Sequence, residues 1–280
     1  MPGRKGQWCQ SRPLRRKSGP RRGPYRGEVT ISPGWPVAWA IGILLLLTLL
    51  AYAVGHLPER LSPLLAAARA IVQLSLAALV ITSVIASLAW SLVVLAGMFT
   101  VAVVTTVRRV GAPRAWPWAT VAILAGLVPV VAVILLTRTI PPTGLALIPV
   151  LGILMGNTMN GHTLACRRAF AALREERDAY DAWLALGFTR SQAIGRIVHR
   201  HLPEALVPGL DQIRTAGVVT LPGAFIGVLL GGGSPAQAAA AQVLVLMGIM
   251  AAQTITTVVA ERLMCRSWLL PEDLRESLRP

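Results

Sequence analysis

Five long stretches of the chain carry no Asp, Glu, Lys or Arg: residues 29–58, 70–107, 115–137, 139–165 and 215–260. A helix crosses the hydrocarbon core of a bilayer with about 20 apolar residues. The stretches hold about seven such spans on that length, 70–107 and 215–260 each accommodating most of two. Spans are predicted near 36–56, 66–86, 88–107, 116–137, 142–165, 212–232 and 237–259. All are helical, because lipid offers no partner to an unpaired backbone N–H or C=O. The fold class is all-α, a polytopic membrane helix bundle, with 35–265 as its transmembrane domain.

Between the fifth and sixth spans lies the longest polar segment, 166–205, and its pattern is helical. Phe170, Leu173, Tyr180, Trp183, Leu184 and Leu186 form an apolar stripe. Gly187 ends that helix as a C-cap residue, and Thr189 N-caps a second one. The product is a helix–glycine–helix elbow, which is either a docking element for a partner or an ordinary hairpin between spans.

Composition and charge sharpen the picture. Of the 280 residues, 54% are hydrophobic and 14% charged, where soluble domains carry about a quarter charged. A net charge of +15 would suggest nucleic acid in a soluble chain. Here the arginines sit in loops, as they do on the cytoplasmic side of membrane proteins, so no nucleic-acid partner is expected. The seven arginines of 167–200 place the elbow in the cytoplasm, and loop 108–114, two spans earlier, falls on the same side. Counting back puts the N-terminus outside, although residues 1–34 hold nine basic side chains. That stretch is read as a disordered basic tail, and either the first span is miscounted or the tail lies upstream of the true start, the second being favoured; 266–280 is read as a cytoplasmic tail. Cys9, Cys166 and Cys265 have no metal, redox or disulfide spacing.

The stretch GVVTLPGAFIGVLLGGGSP, 217–235, places Gly223, Gly227 and Gly231 four apart. It has no lysine to cradle phosphate, and no G-x-x-x-x-G-K-[ST] loop occurs anywhere in the chain. The glycines read as a face for close helix approach, with Pro222 and Gly223 able to break or kink the helix. Gly152 and Gly156 read as a second close-contact pair, beside Asn157 and Asn160 as interhelical hydrogen-bond partners. Arg69 and Gln73 share a helix face. Polar groups within a span mark pathways by default, although Arg69 is also placed to snorkel to the interface. Arg69, Gln73, Asn157, Met159, Pro222 and Gln242 are the candidates for a translocation path. Met155, Met159, His162 and Cys166 line one helix face whose donors suit Cu(I) or Zn, and methionine stripes equally serve as packing material. His199 and His201 are expected in a solvated basic surface, and Asp211 with Arg214 as an i,i+3 ion pair. No catalytic dyad or carboxylate pair is visible, so an enzyme is not expected.

The segment DAWLALG, 181–187, with Ile197 ten residues beyond its glycine, resembles the coupling loop of ABC transporter permeases. RAIVQL (69–74), LIPVLGILMGNTM (147–159), ALGFTRSQA (185–193) and the block 205–238 occur in the order found in the Fet-type permeases of iron export and aluminium tolerance, and the chain resembles that family over roughly 36–262. The resemblance implies a permease subunit in the cell (plasma or inner) membrane, working as a homodimer with two separate ATPase subunits. It binds no cofactor itself, ATP being used by the partner. Asp181, Ala182, Trp183, Gly187, Thr189 and Ile197 would transmit the ATPase's motion, with iron or another metal as substrate. The alternatives are an integral-membrane lipid-modifying enzyme and a passive channel or assembly subunit.

Overall fold

Residues 34–84 and 88–278 are described by a computed structural model of the protein, so the basic tail, but for Gly34, lies outside the described residues. Every regular element among them is helical. Two units meet in sequence at Ser75 and Leu76. The first holds α1 (Trp35–Val54) and the opening turns of α2 (Ser62–Val84). α1 starts with proline in its first turn and is apolar all round, with no buried residue. A helix apolar all round suits a membrane span.

The second unit is built on α3 (Leu88–Arg109), α4 (Trp116–Leu136), α5 (Gly144–Glu175) and α10 (Pro235–Cys265), with α6 (Arg177–Ala185), α7 (Arg190–His201), α8 (Pro203–Thr215) and α9 (Gly223–Leu230) between α5 and α10. Six described helices are long and apolar enough to cross a membrane: α1, α2, α3, α4 with its preceding turn, α5 and α10. The protein is a multi-pass membrane bundle.

The predicted span at 212–232 takes a different form. It is two short helices, α8 and α9, divided at 216–222. Gly217, at φ +83°, turns the chain so that its N–H donates to the Thr220 carbonyl (2.8 Å), while Val219 and Thr220 donate back to Thr215 (2.9 and 3.2 Å). The break thus satisfies much of its own backbone, which is what lipid requires of a non-helical segment. Pro222 N-caps α9, so the break expected at Pro222–Gly223 is present but begins six residues earlier than the proline alone indicates.

Close approach within the bundle happens at glycines other than those that catch the eye. Gly126 of α4 faces α10 so closely that a Cβ there would lie 2.3 Å from the Ala252 carbonyl oxygen. Gly248 of α10 faces Val130 and Leu154. Gly161 of α5 faces Gln253, and the order of these contacts makes α4 antiparallel and α5 parallel to α10. By contrast, a Cβ on Gly223 or Gly227 would meet nothing within 4 Å, and α9 has no buried residue. The expected packing face is therefore open within this chain. Of the other pair, a Cβ on Gly152 would lie 2.9 Å from the Met98 methyl, and one on Gly156 would meet nothing within 4 Å.

The arginine-bearing loop 108–114 and the elbow come together at one end of the bundle, as the charge pattern requires. Val110, Ala112 and Ala115 share a buried cluster there with Phe170, Tyr180 and Ile194. The predicted cytoplasmic tail is not free. Trp268 stacks on Trp118 (ring centroids 4.3 Å apart), and Leu269, Leu270, Leu274 and Leu278 are buried around a short helix, α11 (Glu272–Ser277).

Candidate functional site

The elbow is made by two local stop-and-start signals. α6 ends in a Schellman turn: the Phe188 N–H donates to the Trp183 carbonyl (3.1 Å) and the Gly187 N–H to that of Leu184 (2.9 Å). Gly187 sits at φ +86°, which a residue with a Cβ adopts only under strain. Thr189 then caps α7 in a reciprocal box, its Oγ1 accepting from the Gln192 N–H (3.4 Å) while Gln192 Oε1 accepts from the Thr189 N–H (2.9 Å). Ile197 anchors α7 from below, fully buried with Ala193 and Ile194.

The elbow's outer surface is formed by the residues singled out from the sequence. Asp181 and Ala182 are exposed, Asp181 held by Arg177 one turn back (3.3 Å). Trp183 is half-buried and meets Phe188 edge-on at 4.9 Å, and the Arg196 guanidinium lies 5.8 Å from each ring. Leu186 departs from the predicted stripe: it occupies the C-cap at the tip of α6 and is 71% exposed. A hollow of about 540 Å³ opens between α6 and α7, walled in part by Trp183, Phe188 and Arg196. An exposed apolar tip beside a hollow lined by aromatic rings and an arginine has the composition common at protein interfaces.

His199 lies on the solvated surface as expected and His201 is half-buried beside it, and each also contacts a carboxylate outside α7. His199 Nδ1 lies 2.8 Å from Glu261 of α10, and His201 Nε2 lies 2.8 Å from Glu176 at the α5–α6 junction, which also receives Arg200. These contacts bind α7 to the ends of two long helices. The Asp211–Arg214 pair forms at 3.3 Å as expected from its spacing.

The path candidates fall in both units. Arg69 and Gln73 are exposed on α2, Arg69 bordering a surface hollow of about 390 Å³ with Glu59 and Ser62. In the second unit Gln242 is buried on α10 and its Oε1 accepts from the Phe225 N–H (3.3 Å). It thereby holds the head of α9, immediately after Pro222. Met159 is half-buried. The Asn157 side chain does not bridge helices as expected; its Nδ2 donates to the Ile153 carbonyl one turn back (2.9 Å), so its amide is occupied locally. Asn160 does reach across, accepting from Arg109 at 3.4 Å.

The interhelical bond near Asn157 comes from a residue missed in the sequence, Gln253. Its Nε2 donates to the Asn157 backbone carbonyl (2.9 Å), tying α10 to α5. Gly161 and Gly209 leave room for it; a Cβ on Gly209 would sit 2.2 Å from Gln253 Oε1. Gln253 was legible as a lone amide in the apolar run MGIMAAQTITTVVA. Gln253→Leu and Gly209→Ala are each expected to cost about 1 kcal/mol, the scale of an interhelical hydrogen bond in a membrane. Because both remove the same bond, the double variant loses less than the sum. Thermal unfolding in detergent measures this, and strict additivity would show that the two do not share it.

On the Met155–Cys166 face, Met155, His162 and Cys166 are buried. His162 Nδ1 is hydrogen-bonded to Thr106 of α3 (3.2 Å), and Cys166 Sγ lies 3.8 Å from the same nitrogen. The lower half of the face is thus part of the α3–α5 contact. Among the described residues no three His, Cys, Asp or Glu side chains gather into a metal-binding group.

Residues 35–269 match the family described as an uncharacterised protein family, UPF0014. The chain belongs to the UPF0014 family. This UPF0014 protein is 36% identical over 200 residues to the UPF0014 membrane protein STAR2 of Oryza sativa subsp. japonica, covering 70% of each chain. It is 30% identical over 224 residues to the Protein ALUMINUM SENSITIVE 3 of Arabidopsis thaliana, covering 79% of this chain and 82% of that one. Over 140 residues it is 28% identical to the Probable iron export permease protein FetB of Escherichia coli, covering 50% and 54%. No solved structure matches the chain. The UPF0014 match takes in all six membrane-crossing helices and the elbow.

Proposed function

We propose that this protein is the membrane-spanning permease subunit of an ATP-driven transporter that exports a metal, iron in the first instance, by alternating access. The observation that supports this most directly is the elbow, a doubly capped helix–turn–helix with an exposed tip, set at the arginine-rich end of a multi-pass bundle. The chain has no nucleotide-binding loop of the G-x-x-x-x-G-K-[ST] kind, so ATP is hydrolysed by a separate subunit that docks on Asp181–Gly187. Two such chains pair, and the open Gly223–Gly227 face of α9 offers that pair a close-contact seam. The metal assignment draws on the similarity to the iron export permease of Escherichia coli.

Co-reconstitution with the partner ATPase in proteoliposomes tests the reading. Ferrous iron is expected to raise ATP turnover and to appear on the far side of the membrane. Turnover raised by a lipid or an organic solute, and by no metal, would overturn the metal assignment and leave the permease assignment in place. Turnover indifferent to the presence of this chain would overturn both.

A further inference from the structure

The segment after α10 is held by the elbow through its backbone. On α6, Tyr180 is fully buried and its hydroxyl donates to the Leu278 carbonyl (2.7 Å), while Arg177 donates to the Ser277 carbonyl. At the start of α7, Arg190 Nη2 donates to the Arg275 carbonyl (3.0 Å). These three carbonyls belong to the last turn of α11 and its cap, the acceptors a helix leaves unpaired at its C-terminal end. A helix of six residues has no stability of its own in water. It is formed because the elbow supplies donors at one end and because Leu274 within it, and Leu270 and Leu278 flanking it, are buried.

Ion pairs set the register. Arg174, in the last turn of α5, pairs with Asp273 (2.7 Å), and Arg114 beside α4 pairs with Glu272. Both pairs are largely exposed, so they contribute little to stability and serve chiefly to align the segment. Burial pushes the Tyr180 phenol above its ordinary range, against the pull of the neighbouring Arg190 and Arg177. The hydroxyl therefore stays a donor at neutral pH.

We infer that residues 269–278 form a positioning strap that fixes the angle of α6 and α7 against the bundle. With it in place a push on the elbow moves α7 and the membrane helices together; without it the elbow swings on the α5–α6 junction at Glu176. The strap's role in transport rests on the proposed ATPase docking at the elbow. Its mechanical role does not.

Two variants of the full chain separate these points. One is truncated before Glu272; the other, Tyr180→Phe with Arg190→Gln, removes two carbonyl contacts and keeps the leucines. Hydrogen–deuterium exchange in nanodiscs is expected to speed up at least about tenfold across 177–201, with α4 and α10 unchanged. In the reconstituted complex the ATPase still co-purifies, but the turnover that depends on this chain falls to the level of the ATPase alone. Unchanged protection of 177–201 in both variants would overturn the strap. Faster exchange with full turnover would overturn its role in coupling. If truncation also exposes α4 and α10, the fold has been lost and the double point variant decides. Failure of the docking reading is distinct: normal assembly of Ala182→Arg with the ATPase removes that reading and leaves the exchange result standing.

Discussion

Ala182→Arg is expected to abolish co-purification with the proposed ATPase partner while the permease itself remains folded. Ala182 is exposed on α6, one residue from the paired Asp181, and its side chain supports nothing beneath it. Arginine there adds bulk and charge to the docking face without entering the core. Losing a central contact residue of an interface costs about 2–4 kcal/mol, roughly 30- to 1,000-fold in affinity. Pull-down from co-expressing cells measures it, with size-exclusion and thermal unfolding of the permease alone as the control. An intact complex with wild-type affinity would show that the ATPase docks elsewhere. Gly187 is the poorer probe, since any side chain at φ +86° strains the turn and confounds docking with folding.

Gly126→Leu is the variant that damages the bundle most. Its Cβ alone would come within 2.3 Å of the Ala252 carbonyl oxygen and 2.1 Å of Thr256 Oγ1. The first of these is helix backbone, which cannot rotate aside, so α4 and α10 must separate. The cost is expected at the top of the range for overpacking, about 3 kcal/mol. It should appear as a clear fall in the unfolding midpoint in detergent. Gly227→Leu, by contrast, meets nothing in its own chain and should leave that midpoint unchanged. If Gly227→Leu disrupts a cross-linked dimer but not the monomer, the open face of α9 belongs to a second copy. Equal damage from both substitutions would contradict the packing described for α4 and α10.

That contrast shows what could and could not be read from the residues. The long helices were legible because lipid imposes one rule on every residue in a span. The elbow was legible because Gly187 and Thr189 act locally, on backbone groups three residues away. The glycines were legible as glycines only. Gly223 and Gly227 belong to a regular pattern, yet a Cβ on either would meet nothing within 4 Å, whereas isolated Gly126, Gly144 and Gly209 carry the closest approaches. A sequence does not say which face of a helix another helix will meet. The strap was missed because WLLPEDLRESL is short and carries four charges after its proline, and reads as solvated tail. Its signal was the spacing of Leu270, Leu274 and Leu278, which becomes meaningful once Tyr180 and Phe170 are seen at the surface that receives them.

The junction between α7 and α8 has a mechanical consequence. Leu202 alone separates them and itself holds helical dihedrals, φ −64° and ψ −38°, so the two helices are joined by a stiff corner. Any rotation of α7 at the elbow swings α8 as a crank arm. That arm is about 20 Å long, some two thirds of the roughly 30 Å hydrocarbon core. It ends at the knot around Gly217, where α9 is pinned separately by Gln242. On the proposed docking of the ATPase at the elbow, the stroke reaches Val218 and Val219 in the break, while α9 beyond them is held by its own tie to α10.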